Sequence, residues 1–305
     1  CGGGSDAAGP TPAPGERMDA ILASSDLAAG APVRVAVGLV LGDGRLVTSG
    51  AVAFRFAYAG TQSAPLDPPV AGPEASATYL PTPGTPAGAG TPTPTQPSEA
   101  RGVYEARDVT FDRAGYWILT VAAELPDGPR EASTTIAVDT EPRLPAPGQA
   151  ALATENPVLR ADGASSDGDP LAALDSRAAT EGTVPDPDLH AVSIADALAA
   201  GRPMLVVFAT PVYCVSQFCG PVVDVVEDIA SSWTGDAAFI HVEIWRDYGQ
   251  QAIGQAAADW LYRNGNLTEP WLYLIDGDGT IVDRWTPLFD PEEVRAELAE
   301  VDPAA

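Results

Sequence analysis

Lysine is absent from this chain, and all sixteen basic residues are arginine. Lysine nucleophiles and Schiff bases are thereby excluded. Against those sixteen stand 42 Asp and Glu, a formal charge of −26, which argues against nucleic acid and anionic membrane surfaces as partners, since both require basic patches. Cysteine is scarce, three in all, and no segment is apolar for long enough to span a bilayer. At 305 residues the chain has room for two domains of ordinary size.

The sequence is organised around 205–227. Leu205, Val206, Val207, Phe208 and Ala209 form a short apolar run rich in β-branched residues, the pattern of a buried strand, which Thr210-Pro211 then breaks. Cys214 and Cys219 follow in the order Cys-x4-Cys. Beyond Gly220-Pro221, Val222, Val225, Val226 and Ile229 fall at the spacing of one helical face, with proline tolerated in the first turn. A cysteine at a helix start meets the positive end of the helix dipole and unpaired N–H groups, which stabilise the reactive thiolate. Residues five apart in a continuous helix would have Cα atoms about 8–9 Å apart, beyond the reach of a disulfide. Cys214 is therefore expected in the turn, where a reversible bond to Cys219 is possible.

Phe218-Cys219-Gly220-Pro221, between a strand and a helix, resembles the Trp-Cys-Gly-Pro-Cys site of the thioredoxin superfamily. Val222 stands where that motif has its second cysteine. Counted from the strand instead, Cys214 falls close to the family's attacking cysteine, and Cys219 would resolve it. The two registers leave the attacker open. The spacing is also similar to that of one peroxiredoxin class, although Val207 and Pro211 stand in place of the proline and threonine, respectively, that those enzymes use. Sco-type copper chaperones use a related Cys-x3-Cys.

The order of elements over 189–303 resembles the same superfamily. Ser193 can cap a helix over 194–200 that stops before Pro203. After the cysteine turn come a strand over 237–245, a helix face at Ile253, Ala257, Trp260 and Leu261, a hairpin over 271–285 with Asp-Gly turns, and a last helix over 291–301. Pro270 stands where thioredoxin-like proteins carry a cis-proline beside the cysteine pair. The resemblance implies that Pro270 lines a substrate groove, that the Glu269 backbone pairs with an extended substrate, and that the Glu269 charge raises the pKa of a nearby thiol. Asp224 and Glu227 on the helix after the pair are candidate proton relays, or else solvated positions. His241 and Glu243 share one strand face. His241 with the two thiols would make a copper site of soft and imidazole ligands; the alternative is a half-buried histidine.

Cys1-Gly-Gly-Gly-Ser-Asp resembles the beginning of a mature bacterial lipoprotein. That resemblance implies lipid on Cys1, a flexible tether over 1–16, and a place outside the cytoplasm, on the outer face of the cell membrane, where disulfides persist. From 17 to 139 short alternating runs at 18–22, 33–41, 51–58, 103–106, 116–122 and 134–138, with turn signals between, predict an all-β sandwich. Asp112-x-Ala114-x-Tyr116 resembles the tyrosine corner of immunoglobulin domains. The Pro- and Thr-rich stretch 61–100 is expected to be a disordered insertion, and 140–188 a linker in which 150–159 packs on a neighbour.

The sequence thus predicts two domains, an all-β immunoglobulin-like sandwich (17–139) followed by an α/β thioredoxin-like fold (189–305). It would act on protein thiols and disulfides through Cys214, Cys219 and Pro270, with no cofactor. Two other functions remain open: a copper-binding chaperone for an exported oxidase, using Cys214, Cys219 and His241, and a non-catalytic interaction module with a structural disulfide.

Overall fold

The computed structural model describes residues 17–303, apart from Ala87 and Ala89. Cys1 and the tether 1–16 lie outside the described residues. Among the described residues no helix is long and apolar enough to cross a membrane. The described residues are β-rich, with their strands in sheets of nine, four and two strands.

Nine strands come from the first half: β1 (Met18–Leu22), β2 (Pro32–Leu41), β3 (Leu46–Thr48), β4 (Ala51–Thr61), β5 (Ala64–Pro81), β6 (Thr93–Thr95), β7 (Gly102–Thr110), β8 (Gly115–Leu125) and β9 (Gly128–Val138). Their order is β6-β3-β2-β7-β5-β4-β8-β9, with β1 pairing β2. The sheet curls until its ends meet, where the Ala29 N–H donates to the Asp139 carbonyl at 2.9 Å and the Asp139 N–H to that of Leu27 at 2.9 Å. Alternate side chains turn inward, and Phe54, Tyr104, Phe111, Trp117 and Leu119 fill the enclosed core.

Two expectations for this half are corrected. The stretch 61–100 is not a disordered insertion, because 64–81 forms β5, which pairs with β4 on one side and β7 on the other. The β7 pairing covers only 78–81, so Pro65, Pro68, Pro69 and Pro73 lie where β5 has one neighbour, and proline is tolerated on such an edge. Tyr116 is not a buried corner: it is 40% exposed. The neighbouring bonds are made by Tyr58, whose hydroxyl donates to the Ala114 carbonyl at 3.3 Å, and by Trp117, whose indole N–H donates to that of Arg113 at 3.2 Å.

The second half builds a mixed four-stranded sheet. β10 (Met204–Ala209) lies between β11 (Ala238–Glu243), parallel to it, and β14 (Trp271–Ile275), antiparallel, and β14 pairs in turn with β15 (Ile281–Trp285). β12 (Trp245–Asp247) and β13 (Ala252–Ile253) form a separate ribbon. The helices are α1 (Ala178–Glu181), α2 (Ile194–Ala199), α3 (Cys219–Ser232), α4 (Gln255–Leu261) and α5 (Pro291–Val301). Every residue of β10 is buried. Leu205, Val207 and Ala209 face α3 and α5, while Met204, Val206 and Phe208 face α2 and α4, so the strand alternates between two apolar layers. Ser193 caps α2 by accepting the Asp196 N–H at 3.0 Å, and Asp290 caps α5 by accepting that of Glu292 at 3.0 Å.

The segment 140–188 is not a free linker. It lies against the second sheet, where the Ala151 N–H donates to the Gly279 carbonyl at 2.8 Å, the Trp260 indole N–H donates to the Thr154 hydroxyl at 2.8 Å, and Asn156 accepts the Ile194 N–H at 2.8 Å. Ala36 and Val103 of the first sheet share an apolar cluster with α3 and β14. Two ion pairs span the same junction: Arg34 with Asp283 at 2.6 Å and Arg284 with Asp26 at 2.8 Å.

Candidate thiol site

The cysteine turn leaves the C-terminal end of β10 and enters α3 at Cys219. Cys214 and Cys219 are joined in a disulfide, with Cα atoms 6.0 Å apart. Cys214 lies in the turn as expected, and Gln217, at φ 62°, swings the backbone round through the left-handed region before the helix begins. The two sulfurs differ in surroundings. Cys219 is fully buried, whereas Cys214 is half-buried between the exposed Val212 and Val215. The Cys214 sulfur also has two donors: the Cys219 N–H at 3.4 Å and the Ser216 hydroxyl at 3.2 Å. Donors of this kind stabilise a thiolate when the bond opens.

Pro270 is buried directly before β14, and the Glu269-Pro270 peptide is cis. Glu269 offers a carboxylate oxygen that lies, together with both sulfurs, in a group whose atoms are all within 4.8 Å of one another. One of its oxygens, Oε2, is buried without a hydrogen-bond partner. Burial, with the Glu243 carboxyl as a charged neighbour, pushes the Glu269 pKa up to about 7.

No protein-family model matches the chain, and no curated protein sequence matches it. The geometry of the site carries the functional argument alone.

The structure does not bring His241 to the cysteines. Its Nε2 meets the Ala209 carbonyl at 3.2 Å and its Nδ1 meets Asp175 at 3.4 Å. The copper site of Cys214, Cys219 and His241 is therefore not assembled, because the β11 face that carries His241 is packed against the 175–190 segment. Asp224 and Glu227 stay exposed on α3, with Asp224 reaching Arg177 at 3.4 Å. Glu243 is buried instead, and accepts the backbone N–H groups of Ser176 and Ile244 at 2.9 and 2.8 Å.

Sequence reasoning missed Asp175, Ser176, Asp186 and His190. Ser176 accepts the Val212 N–H at 3.1 Å and so supports the cysteine turn. Arg177 bridges Asp175 and Asp186 at 2.6 and 2.7 Å. The only sequence signal was the density of acids and a histidine in a stretch otherwise short of apolar residues.

Proposed function

We propose that the protein is a thiol–disulfide oxidoreductase in which Cys214 exchanges with protein thiols or disulfides and Cys219 resolves the mixed intermediate. The observation that carries this reading is the asymmetry of the pair. The Cys214 sulfur is reachable and held by two donors, and the Cys219 sulfur is buried at a helix start with a neutralisable carboxyl beside it. Support for the thioredoxin-like reading of 189–303 comes from the mixed sheet with helices on both faces and a cysteine turn at the end of β10. Support for an immunoglobulin-like reading of 17–139 comes from the curled sheet, in which β5 joins what would otherwise be two stacked sheets.

In the oxidising direction, a substrate thiolate attacks the Cys214 sulfur and the Cys214–Cys219 bond breaks. Cys219 leaves as a thiolate and takes the proton held by Glu269. A second substrate thiolate then attacks the substrate sulfur of the mixed disulfide, releasing Cys214 as a thiolate beside the Cys219 N–H and the Ser216 hydroxyl. Two electrons pass from the substrate dithiol to the cysteine pair. The reverse sequence reduces a substrate disulfide, with Glu269 accepting the Cys219 proton. A second dithiol or disulfide partner restores the starting state.

Single-cysteine variants test the assignment. Cys219→Ser is expected to accumulate a mixed disulfide with a peptide disulfide, because the attacker remains and its resolver is gone; Cys214→Ser is expected to accumulate none. Equal trapping by both variants, read by mass spectrometry, would contradict it.

A further inference from the structure

We infer that Asp175, Asp186, His190 and His241 form a binding site for a divalent transition ion of the zinc class. All four are buried, none more than 3% exposed, and each offers a ligand atom within 4.8 Å of the other three. A tetrahedral site with bonds of about 2.0–2.2 Å has edges of about 3.3–3.6 Å. Two edges of that size are already present: His190 Nε2 to Asp186 Oδ1 at 3.3 Å, and His241 Nδ1 to Asp175 Oδ2 at 3.4 Å.

These contacts are close without being aligned as hydrogen bonds. Asp186 Oδ1, His241 Nδ1 and both ring nitrogens of His190 are buried with no partner. An ion-pair cluster held by Arg177 accounts for both oxygens of Asp175 and for Oδ2 of Asp186, yet leaves those four atoms unexplained. An ion satisfies the inward-facing ones together. The outer contacts suit it as well. A carbonyl only accepts, so the Ala209 contact places the His241 proton on Nε2 and leaves Nδ1 to face the cluster. Arg177 holds the two carboxylates in place, through Oδ2 of Asp186 and through both oxygens of Asp175.

Two imidazoles and two carboxylates, with no thiolate, suit zinc, cobalt or iron(II) rather than copper(I), and are too few oxygens for calcium. The ion would fix the polar 175–190 segment to β11, next to the Ser176 contact under the cysteine turn. The site is separate from the exchange chemistry and stands or falls independently of it.

The test uses the full chain carrying Cys214→Ser and Cys219→Ser, so that the thiols of the cysteine turn cannot bind the ion, titrated with Co2+ and then Zn2+ after chelation. One ion per chain is expected, with the visible bands of tetrahedral cobalt, displacement by zinc and a raised thermal midpoint. His190→Gln and Asp186→Asn should each weaken binding by about 100-fold or more. X-ray absorption of the cobalt form should show a nitrogen and oxygen shell with imidazole scattering, a readout that does not depend on the variants folding. No binding at micromolar ion, binding that survives both substitutions, or a shell without imidazole would overturn the assignment.

Discussion

Burial beside Glu243 raises the Glu269 carboxyl to about 7, from 4.5 for a free glutamate. Between those values the folded protein keeps a proton that the unfolded chain has released. The sign follows: this group's contribution to stability is full below about pH 4.5 and is lost as pH rises through about 7. Glu269→Gln removes the titration, so the variant should lose about 2 kcal/mol less than the parent between pH 5 and 8, allowing for partial solvent screening. Urea midpoints at the two pH values check it. In the same variant the exchange rate should fall by about 100-fold and lose its inflection near pH 7; an unchanged pH–rate profile would remove Glu269 from the mechanism. The sequence singled out this residue by its place before Pro270 and by its charge, but not as a proton donor. Its burial and its nearness to Glu243 arise only when the loop before β14 meets β11.

Among elements, the strand-turn-helix of β10, the cysteine turn and α3 was readable residue by residue. Its apolar run, Pro211 break and helical spacing are local signals that tertiary packing reinforces. β5 was not readable in that way. Most of its side chains are exposed, so it carries no alternating apolar pattern, and its pairing comes from the backbone ladder that β4 and β7 offer. The 175–190 segment was hidden for the opposite reason: it is buried through paired polar groups rather than apolar periodicity. Ser176 shows what such a segment contributes. Replacing it with alanine leaves the Val212 N–H without its acceptor, an expected cost of about 1–2 kcal/mol. A lower urea midpoint with an unchanged slope would bear this out, and an unchanged midpoint would show that the turn does not lean on this segment.

For the whole molecule, the two sheets meet near the thiol site rather than at a remote hinge. Leu80 packs on the apolar cluster that holds Val103, Cys219 and the edge of Cys214. The Arg101 guanidinium donates to the Gln217 side chain in the cysteine turn itself. Arg34 adds a paired contact to both Asp283 and Glu293 at 2.6 and 2.8 Å. The first sheet thus forms one wall beside the Cys214 sulfur, with Val212 and Val215 exposed. Sequence signals separated the two halves but held nothing about this junction, because its contacts pair residues more than a hundred positions apart.

The central claim is that the Cys214–Cys219 bond turns over. The most direct measurement is its reduction potential in the full chain, obtained by equilibrating the protein with a graded dithiol buffer and trapping the free thiols. A value between about −120 and −270 mV, the span of catalytic exchangers, is the predicted result. A value below about −300 mV, the range of structural disulfides, would contradict the account and make the bond a staple of the turn.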